Sequence, residues 1–205
     1  MADQTFLTWP FFEDRHRDYT KRLEAWASTA VTKVDHSDTD AACIALVRSL
    51  GDDGWLKETA AQGGETLDVR TLCLTRETLA RYDGLADFAF AMQGLGTGAI
   101  SLFGNAIQQE EWLPLTRTGK ALAAFALTEP QSGSDVANSN MTATEDGDHY
   151  VFNGEKTWIS NGGIADVYTV FAHTGEAKGA RGLSAFIVTP DIDGFEVIER
   201  LQTIA

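Results

Sequence analysis

The pattern of hydrophobic and polar positions along the chain changes near Gly119. Before that residue, apolar side chains recur every three or four positions, which is the spacing of one face of an α-helix. One such face is formed by Tyr19, Leu23, Trp26 and Ala30, and another by Leu72, Thr75, Leu79 and Tyr82. The pattern therefore predicts that the first part of the chain is helical throughout.

Further helices are predicted over residues 39–50, 66–81, 85–103 and 105–115. Asp38 precedes the first of these, and its carboxylate can accept hydrogen bonds from the free backbone N–H groups at the helix N-terminus. Gly51 and Gly54 supply the end of the same helix, because glycine readily adopts the left-handed conformation that closes helices. Pro114 and Gly119 are expected to close the last helix.

After Gly119, apolar residues come in short runs separated by turn residues. Strands are predicted over residues 121–128, 149–160, 167–174, 183–189 and 195–201. The dipeptides at 146–147 and 153–154, Asp-Gly and Asn-Gly, favour tight turns between antiparallel strands. The predicted fold class is α+β: an all-α helical domain over residues 1–119, then an antiparallel β-barrel-like domain over residues 120–205.

Charge and cysteine content narrow the function classes. The chain has 16 Lys and Arg against 30 Asp and Glu, and its net charge is −14. A typical nucleic-acid-binding protein needs a basic face, so that class is excluded. Cys43 and Cys73 lie in helix-like stretches and are expected to be buried free thiols. Because the N-terminal sequence lacks the pattern of a signal peptide, we expect a cytoplasmic location.

Residues 88–103 form an uncharged stretch of sixteen residues. It is shorter than the roughly 20 apolar residues that a membrane-spanning helix needs, so a buried core helix is predicted instead. Gly94, Gly96 and Ala99 have the spacing of a dinucleotide-binding loop, but no β-branched strand precedes them, which argues against that function. The four histidines lack metal-ligand spacing, and no metal site is expected.

The first segment with chemical potential is FALTEPQSGSD, residues 125–135. Gly133 permits positive φ angles, so that successive N–H groups could point at one anion, and Thr128 and Ser134 add hydroxyl donors. A plain surface loop would have a similar composition. Glu129 and Asp135 are interpreted as acceptors that stabilise turns, so no catalytic residue is assigned.

The second segment is NGEKTWISNGG, residues 153–163. If it forms a strand, Trp158 and Ser160 face the same side, because side chains alternate along a strand. An indole beside a hydroxyl offers a planar heteroaromatic cofactor a stacking surface and a hydrogen bond. The alternative is a core tryptophan.

Together, these two segments resemble the flavin-contacting strands of the acyl-CoA dehydrogenase family. The resemblance is specific over residues 104–197, whereas residues 1–103 resemble the N-terminal helical domain of the family more loosely. The family also has a C-terminal helical domain that carries the glutamate base, so we expect this chain to be a fragment that is inactive alone and binds FAD weakly.

The resemblance implies a role for individual residues. Thr128 would donate to the pyrimidine end of the flavin, Trp158 would stack on one flavin face, and Ser160 would hydrogen-bond to N5. Gly133 and Ser134 would lie near the pyrophosphate of FAD, and Ser134 would also face the acyl-CoA substrate. The complete implied set of FAD contacts is Phe125, Ala126, Leu127, Thr128, Gly133, Ser134, Trp158, Ile159 and Ser160.

The implied activity is that of an FAD-dependent acyl-CoA dehydrogenase of fatty acid metabolism. Such an enzyme oxidises an acyl-CoA thioester to the 2-enoyl-CoA by hydride transfer to flavin N5, and passes electrons to an electron-accepting flavoprotein. A homo-oligomer, dimer or tetramer, is also implied. An acyl-CoA oxidase or flavin monooxygenase of the same fold, or a non-catalytic flavin-fold subunit, would share the motifs and stays open.

Overall fold

The computed structural model describes residues 3–201 of the 205-residue chain. Within this range, five α-helices come first: α1 (Asp14–Ala30), α2 (Thr39–Asp52), α3 (Val69–Tyr82), α4 (Gly84–Phe103) and α5 (Ala106–Arg117). Five strands follow: β1 (Ala123–Ala126), β2 (Thr142–Asp146), β3 (His149–Asn153), β4 (Val167–His173) and β5 (Leu183–Val188). Short 3₁₀-helices span Thr5–Thr8, Trp55–Thr59, Val136–Asn138 and Gly179–Gly182.

Side-chain caps determine where the helices begin. Asp38 caps α2 as predicted: its Oδ1 accepts the N–H groups of Asp40 and Ala41, both at 3.0 Å. The next helix, α3, begins at Val69 rather than at residue 66, because Asp68 precedes it and accepts the N–H of Arg70 at 3.1 Å. The last helix, α5, continues through Pro114 and ends at Arg117, two residues beyond the predicted end.

The helix α4 lies at the centre of the helical part and packs against α2, α3, α5 and β1. Its buried face includes Ala86, Ala89, Phe90 and Ile100, so the expected core helix is confirmed for that face. Along the opposite face, large apolar side chains such as Leu102 remain exposed. Within residues 3–201, no helix has the length and apolar character needed to cross a membrane.

The glycine-rich spacing of α4 serves close packing between the helix and the sheet. A Cβ atom on Gly96 would lie 2.7 Å from Cβ of Ala123 and 2.9 Å from the backbone nitrogen of Ala124. Thr169 of β4 donates its hydroxyl proton to the Gly96 carbonyl oxygen at 2.6 Å. Since Gly96 lies inside a continuous helix, these residues do not form a dinucleotide-binding loop, although they have the spacing of one.

The sheet confirms the α+β class but is mixed rather than antiparallel. Strands β2 and β3 form a hairpin, and β5 runs antiparallel to β4, whereas β1 runs parallel to β4. Leu122 explains the parallel pair: its carbonyl oxygen accepts the N–H groups of Asp166 and Val167, so β1 and β4 begin side by side and run in the same direction. Among the described strands, the sheet has the order β1-β4-β2-β3 and does not close into a barrel.

Two strand predictions after Gly119 are wrong, and one strand was not predicted. Residues 154–160 and 195–201 do not form strands, although both had been assigned to them. The polar strand β2 has no apolar run and was not predicted from the sequence. It forms because all five of its residues pair with β3 in a hairpin, from Thr142 opposite Asn153 to Asp146 opposite His149.

The two cysteines occupy different environments. Cys43 is buried, and burial raises the pKa of its thiol to about 11. Cys73 is exposed, contrary to expectation, because it lies away from the buried face of α3 that Thr75 and Leu79 form. Over the described part of the chain, no group of three or more His, Cys, Asp or Glu side chains could hold a metal ion.

Candidate functional site

The first site segment leaves β1 and turns sharply. The backbone groups of Glu129 and Ser132 exchange two hydrogen bonds of 3.0 Å, which places Pro130 at the exposed corner of a tight turn. Gly133 and Ser134 follow the turn and are exposed. Gly133 does not adopt the positive φ angle that glycine permits, and a Cβ there would meet only open space.

The second site segment is a bent loop instead of the predicted strand. Trp158 has a φ angle of 57° and Asn161 one of 63°, both in the left-handed region. The two angles break the alternation of an extended strand, so Trp158 and Ser160 do not share a strand face. Trp158 is 66% exposed, which also excludes the alternative of a core tryptophan. Ile159 packs against the sheet core, and Ser160 is half-buried.

The structure brings the two segments together. The N–H of Thr157 donates to the carbonyl oxygen of Thr128 at 2.9 Å. On the other side of the tryptophan, the Asn161 side-chain amide donates to the carbonyl oxygen of Ala123 at 3.1 Å. Residues 158–160 therefore lie between two attachments to β1 and the loop that follows it. We call residues 158–160 the tryptophan loop.

A buried ion pair joins the same two segments. Nζ of Lys156 lies 2.7 Å from Oε1 of Glu129, and the two side chains are 7% and 1% exposed. Lys156 also donates to the carbonyl oxygen of Leu127 at 3.0 Å. The Glu129 carboxylate accepts the backbone N–H groups of Asn140 and Met141 at 2.5 and 3.1 Å. The interpretation of Glu129 as an acceptor for the backbone agrees with these contacts, but its partnership with Lys156 was not predicted.

The remaining predicted residues lie at the end of β1 and in the loop that follows it. Phe125 is half-buried, and its ring packs 5.1 Å from that of Phe171 on β4, measured between centroids. Ala126 is buried in the sheet core. Leu127 and Thr128 are half-buried. The site thus combines an exposed indole, nearby hydroxyl groups and an exposed Gly-Ser turn, which can hold a planar heteroaromatic group with an anionic tail.

The Glu129 carboxyl group makes the site sensitive to acid. Burial acts to raise its pKa, but hydrogen bonds from Asn140, Lys156 and Met141 outweigh burial and lower that pKa below its ordinary value. A carboxyl whose pKa is lowered by folding stabilises the folded state above its unfolded pKa, and this stabilisation is lost as the pH falls through the folded pKa.

We therefore expect Glu129→Gln to flatten the loss of unfolding free energy between about pH 5 and about pH 3, measured by urea unfolding at each pH. Glu145→Gln is the matched control, because Glu145 is exposed on β2. An acid dependence in Glu129→Gln as steep as that of the control would contradict the prediction.

Comparison with known proteins gives the family. The profile of the acyl-CoA dehydrogenase N-terminal domain matches residues 13–120, and that of the acyl-CoA dehydrogenase middle domain matches residues 124–205. A probable acyl-CoA dehydrogenase of Mycobacterium tuberculosis, FadE25, is 41% identical over 135 residues, which are 66% of this chain and 35% of that protein. The chain thus spans about a third of the length of this curated relative.

Two solved structures share the fold. A glutaryl-CoA dehydrogenase from Mycobacterium smegmatis in complex with FADH2 superposes with a TM-score of 0.82 at 28% identity, over 98% of this chain and 52% of that one. An acyl-CoA dehydrogenase from Bacillus anthracis complexed with FAD gives a TM-score of 0.75 at 33% identity, over 95% and 36%. By its two domain matches and its fold, the chain belongs to the acyl-CoA dehydrogenase family.

Proposed function

We propose that this chain forms the FAD-facing part of an acyl-CoA dehydrogenase, with a helical domain over residues 1–119 and a β domain over residues 120–205. The observation that carries the proposal is the tryptophan loop, which presents an exposed indole and is flanked by hydrogen bonds from Thr157 to Thr128 and from Asn161 to Ala123. The FAD and FADH2 complexes of the two structural relatives support the same cofactor.

The residues present fit FAD. The exposed indole of Trp158 offers a flat apolar surface for the isoalloxazine. The half-buried Thr128 and Ser160, on two segments that the Thr157–Thr128 hydrogen bond joins, supply hydroxyl donors. Gly133 and Ser134 are exposed beside open space, which suits a pyrophosphate. Phe125 and Leu127 would contribute apolar contacts. Ala126 and Ile159 pack into the sheet core, so they would contact FAD through their main-chain atoms.

Bound FAD would supply a hydride acceptor for oxidation of an acyl-CoA thioester to the 2-enoyl-CoA. The residues of this chain would hold and orient that cofactor, with Ser134 also touching the substrate. We assign no catalytic base within the chain. The proposal includes an electron-accepting flavoprotein as partner and a homo-oligomer. It also includes a cytoplasmic location, because the free thiols of Cys43 and Cys73 favour a reducing compartment.

The test is a titration of the purified chain with FAD, followed by the visible absorption of the flavin. Trp158→Ala is expected to weaken FAD binding about tenfold, because it removes the stacking surface. Trp9→Ala is the matched control, since Trp9 is also 60% exposed but precedes α1 in the N-terminal segment. If both variants bind FAD as the unchanged chain does, or if none of the three binds, the proposed FAD site is wrong.

A further inference from the structure

The ion pair between Glu129 and Lys156 lies at the base of the tryptophan loop. Lys156 is two residues before Trp158, and its ammonium group bonds both Leu127 and Glu129 in the segment after β1. Together with the backbone bond from Thr157 to Thr128, three hydrogen bonds hold the start of the loop. Two of these three come from the single ammonium group.

The tryptophan loop needs such support because its backbone conformation is unfavourable. A bulky residue with a φ angle of 57° is strained, and a strained conformation persists only where the surroundings hold it. The side chain of Trp158 gains little from burial, since it is 66% exposed. The contacts that hold its backbone therefore come from its neighbours in sequence, which are Lys156, Thr157 and Asn161.

Stability alone does not account for this arrangement. A buried ion pair often contributes no more to stability than a well-packed apolar pair, because both charges must leave water. It does fix geometry, since an ammonium group and a carboxylate that are both buried can pair in few positions. The Glu129 carboxylate accepts the backbone N–H groups of Asn140 and Met141, which fix its position. The ammonium group of Lys156 is therefore paired with a carboxylate that cannot easily move.

We propose that Glu129 and Lys156 are positioning residues for the flavin: their ion pair sets the place of Trp158 and Ser160 relative to Thr128, and so controls FAD affinity. The inference rests on the proposed function, since it assumes that the tryptophan loop contacts FAD. The two residues act through the loop and need not touch the cofactor.

The experiment uses the complete chain labelled with 5-fluorotryptophan and observed by ¹⁹F NMR. The five tryptophans give separate reporters, and Trp158→Phe assigns the line of Trp158. Lys156→Met breaks the pair, and Glu129→Gln removes its charge while keeping an oxygen for the backbone donors. Arg76→Met is the control, because it breaks an ion pair of similar length, 2.8 Å to Asp87, on the helical part.

In both pair variants, but not in Arg76→Met, we expect the Trp158 line to shift or broaden while the other four lines stay in place. FAD titration of the same samples should show a dissociation constant raised about tenfold. If all five lines leave their folded positions in Lys156→Met, this variant is unfolded. The Trp158 line and the FAD affinity of Glu129→Gln then test the proposal. A purely structural role would not move the Trp158 line alone.

The proposal is overturned if the folded pair variants leave the Trp158 line unchanged, or if they bind FAD as tightly as the unchanged chain. Its failure is distinct from that of the proposed function. If the unchanged chain binds FAD and the pair variants retain that affinity, only the positioning role is wrong. If the unchanged chain shows no FAD binding, the proposed function fails and the positioning role fails with it.

Discussion

Replacement of Gly119 by alanine is expected to lower the free energy of unfolding by about 3–5 kcal/mol, which is enough to unfold many domains. Gly119 has a φ angle of +68°, and a Cβ atom there would lie 2.4 Å from the carbonyl oxygen of Val47 in α2. Both the backbone conformation and the space exclude a side chain. Urea unfolding followed by circular dichroism at 222 nm measures the loss.

The same contact includes a second glycine. A Cβ atom on Gly51 of α2 would lie 2.3 Å from the carbonyl carbon and oxygen of Thr118, so the chain between α5 and β1 crosses α2 where both lack side chains. Gly98→Ala in α4 is the matched control, because nothing lies within 4 Å of a Cβ there. That control should gain about 0.5–1 kcal/mol from helix propensity. A loss below about 1 kcal/mol in Gly119→Ala would contradict the close crossing.

The second large effect is expected from Gln93→Met in α4. The Gln93 side chain is fully buried and donates to the carbonyl oxygens of Thr116 and Ala121, at 3.0 and 2.9 Å. It also accepts the N–H of Ala123 at 2.8 Å. Methionine would fill the space but leave the Ala121 carbonyl oxygen and the Ala123 N–H without these partners, whereas the Thr116 carbonyl oxygen still accepts the N–H of Gly119. We expect a loss of about 3 kcal/mol in unfolding free energy.

A matched control for this substitution is available two residues further along the same helix. Leu95 is 46% exposed, so Leu95→Met should change the unfolding free energy by less than about 0.5 kcal/mol. Because Gln93 contacts the first residue of β1, its loss should also raise amide hydrogen exchange in β1. If Gln93→Met is as stable as Leu95→Met, the three hydrogen bonds do not stabilise the junction between helix and sheet.

Much of the helical part could be predicted from the sequence, because amphipathic spacing and capping residues act locally. Asp38 illustrates this: a carboxylate before an apolar helical run can be recognised without any tertiary information. The parallel pairing of β1 with β4 could not be predicted in this way. It depends on Leu122 accepting hydrogen bonds from Asp166 and Val167, a contact between residues far apart in sequence.

For the candidate site, residue types were easier to predict than geometry. The motifs identified Trp158 and Thr128, and the structure places their segments side by side. The left-handed conformation of Trp158 was not predictable, because tryptophan has no local preference for positive φ angles. Nor could the sequence pair Lys156 with Glu129, since burial of both charges depends on how two distant loops meet.

The parallel pairing of β1 with β4 has a consequence for folding during synthesis on the ribosome. β1 emerges directly after the helices, but its only strand neighbour among the described residues begins at Val167 and is synthesised much later. In the meantime the nascent β1, whose sequence is Ala-Ala-Phe-Ala, has an open edge that could pair with other chains. β1 can pack against α4 before β4 is synthesised, because Gln93 accepts the N–H of Ala123 and Gly96 allows close contact with Ala123. This packing would protect β1 from pairing with other chains.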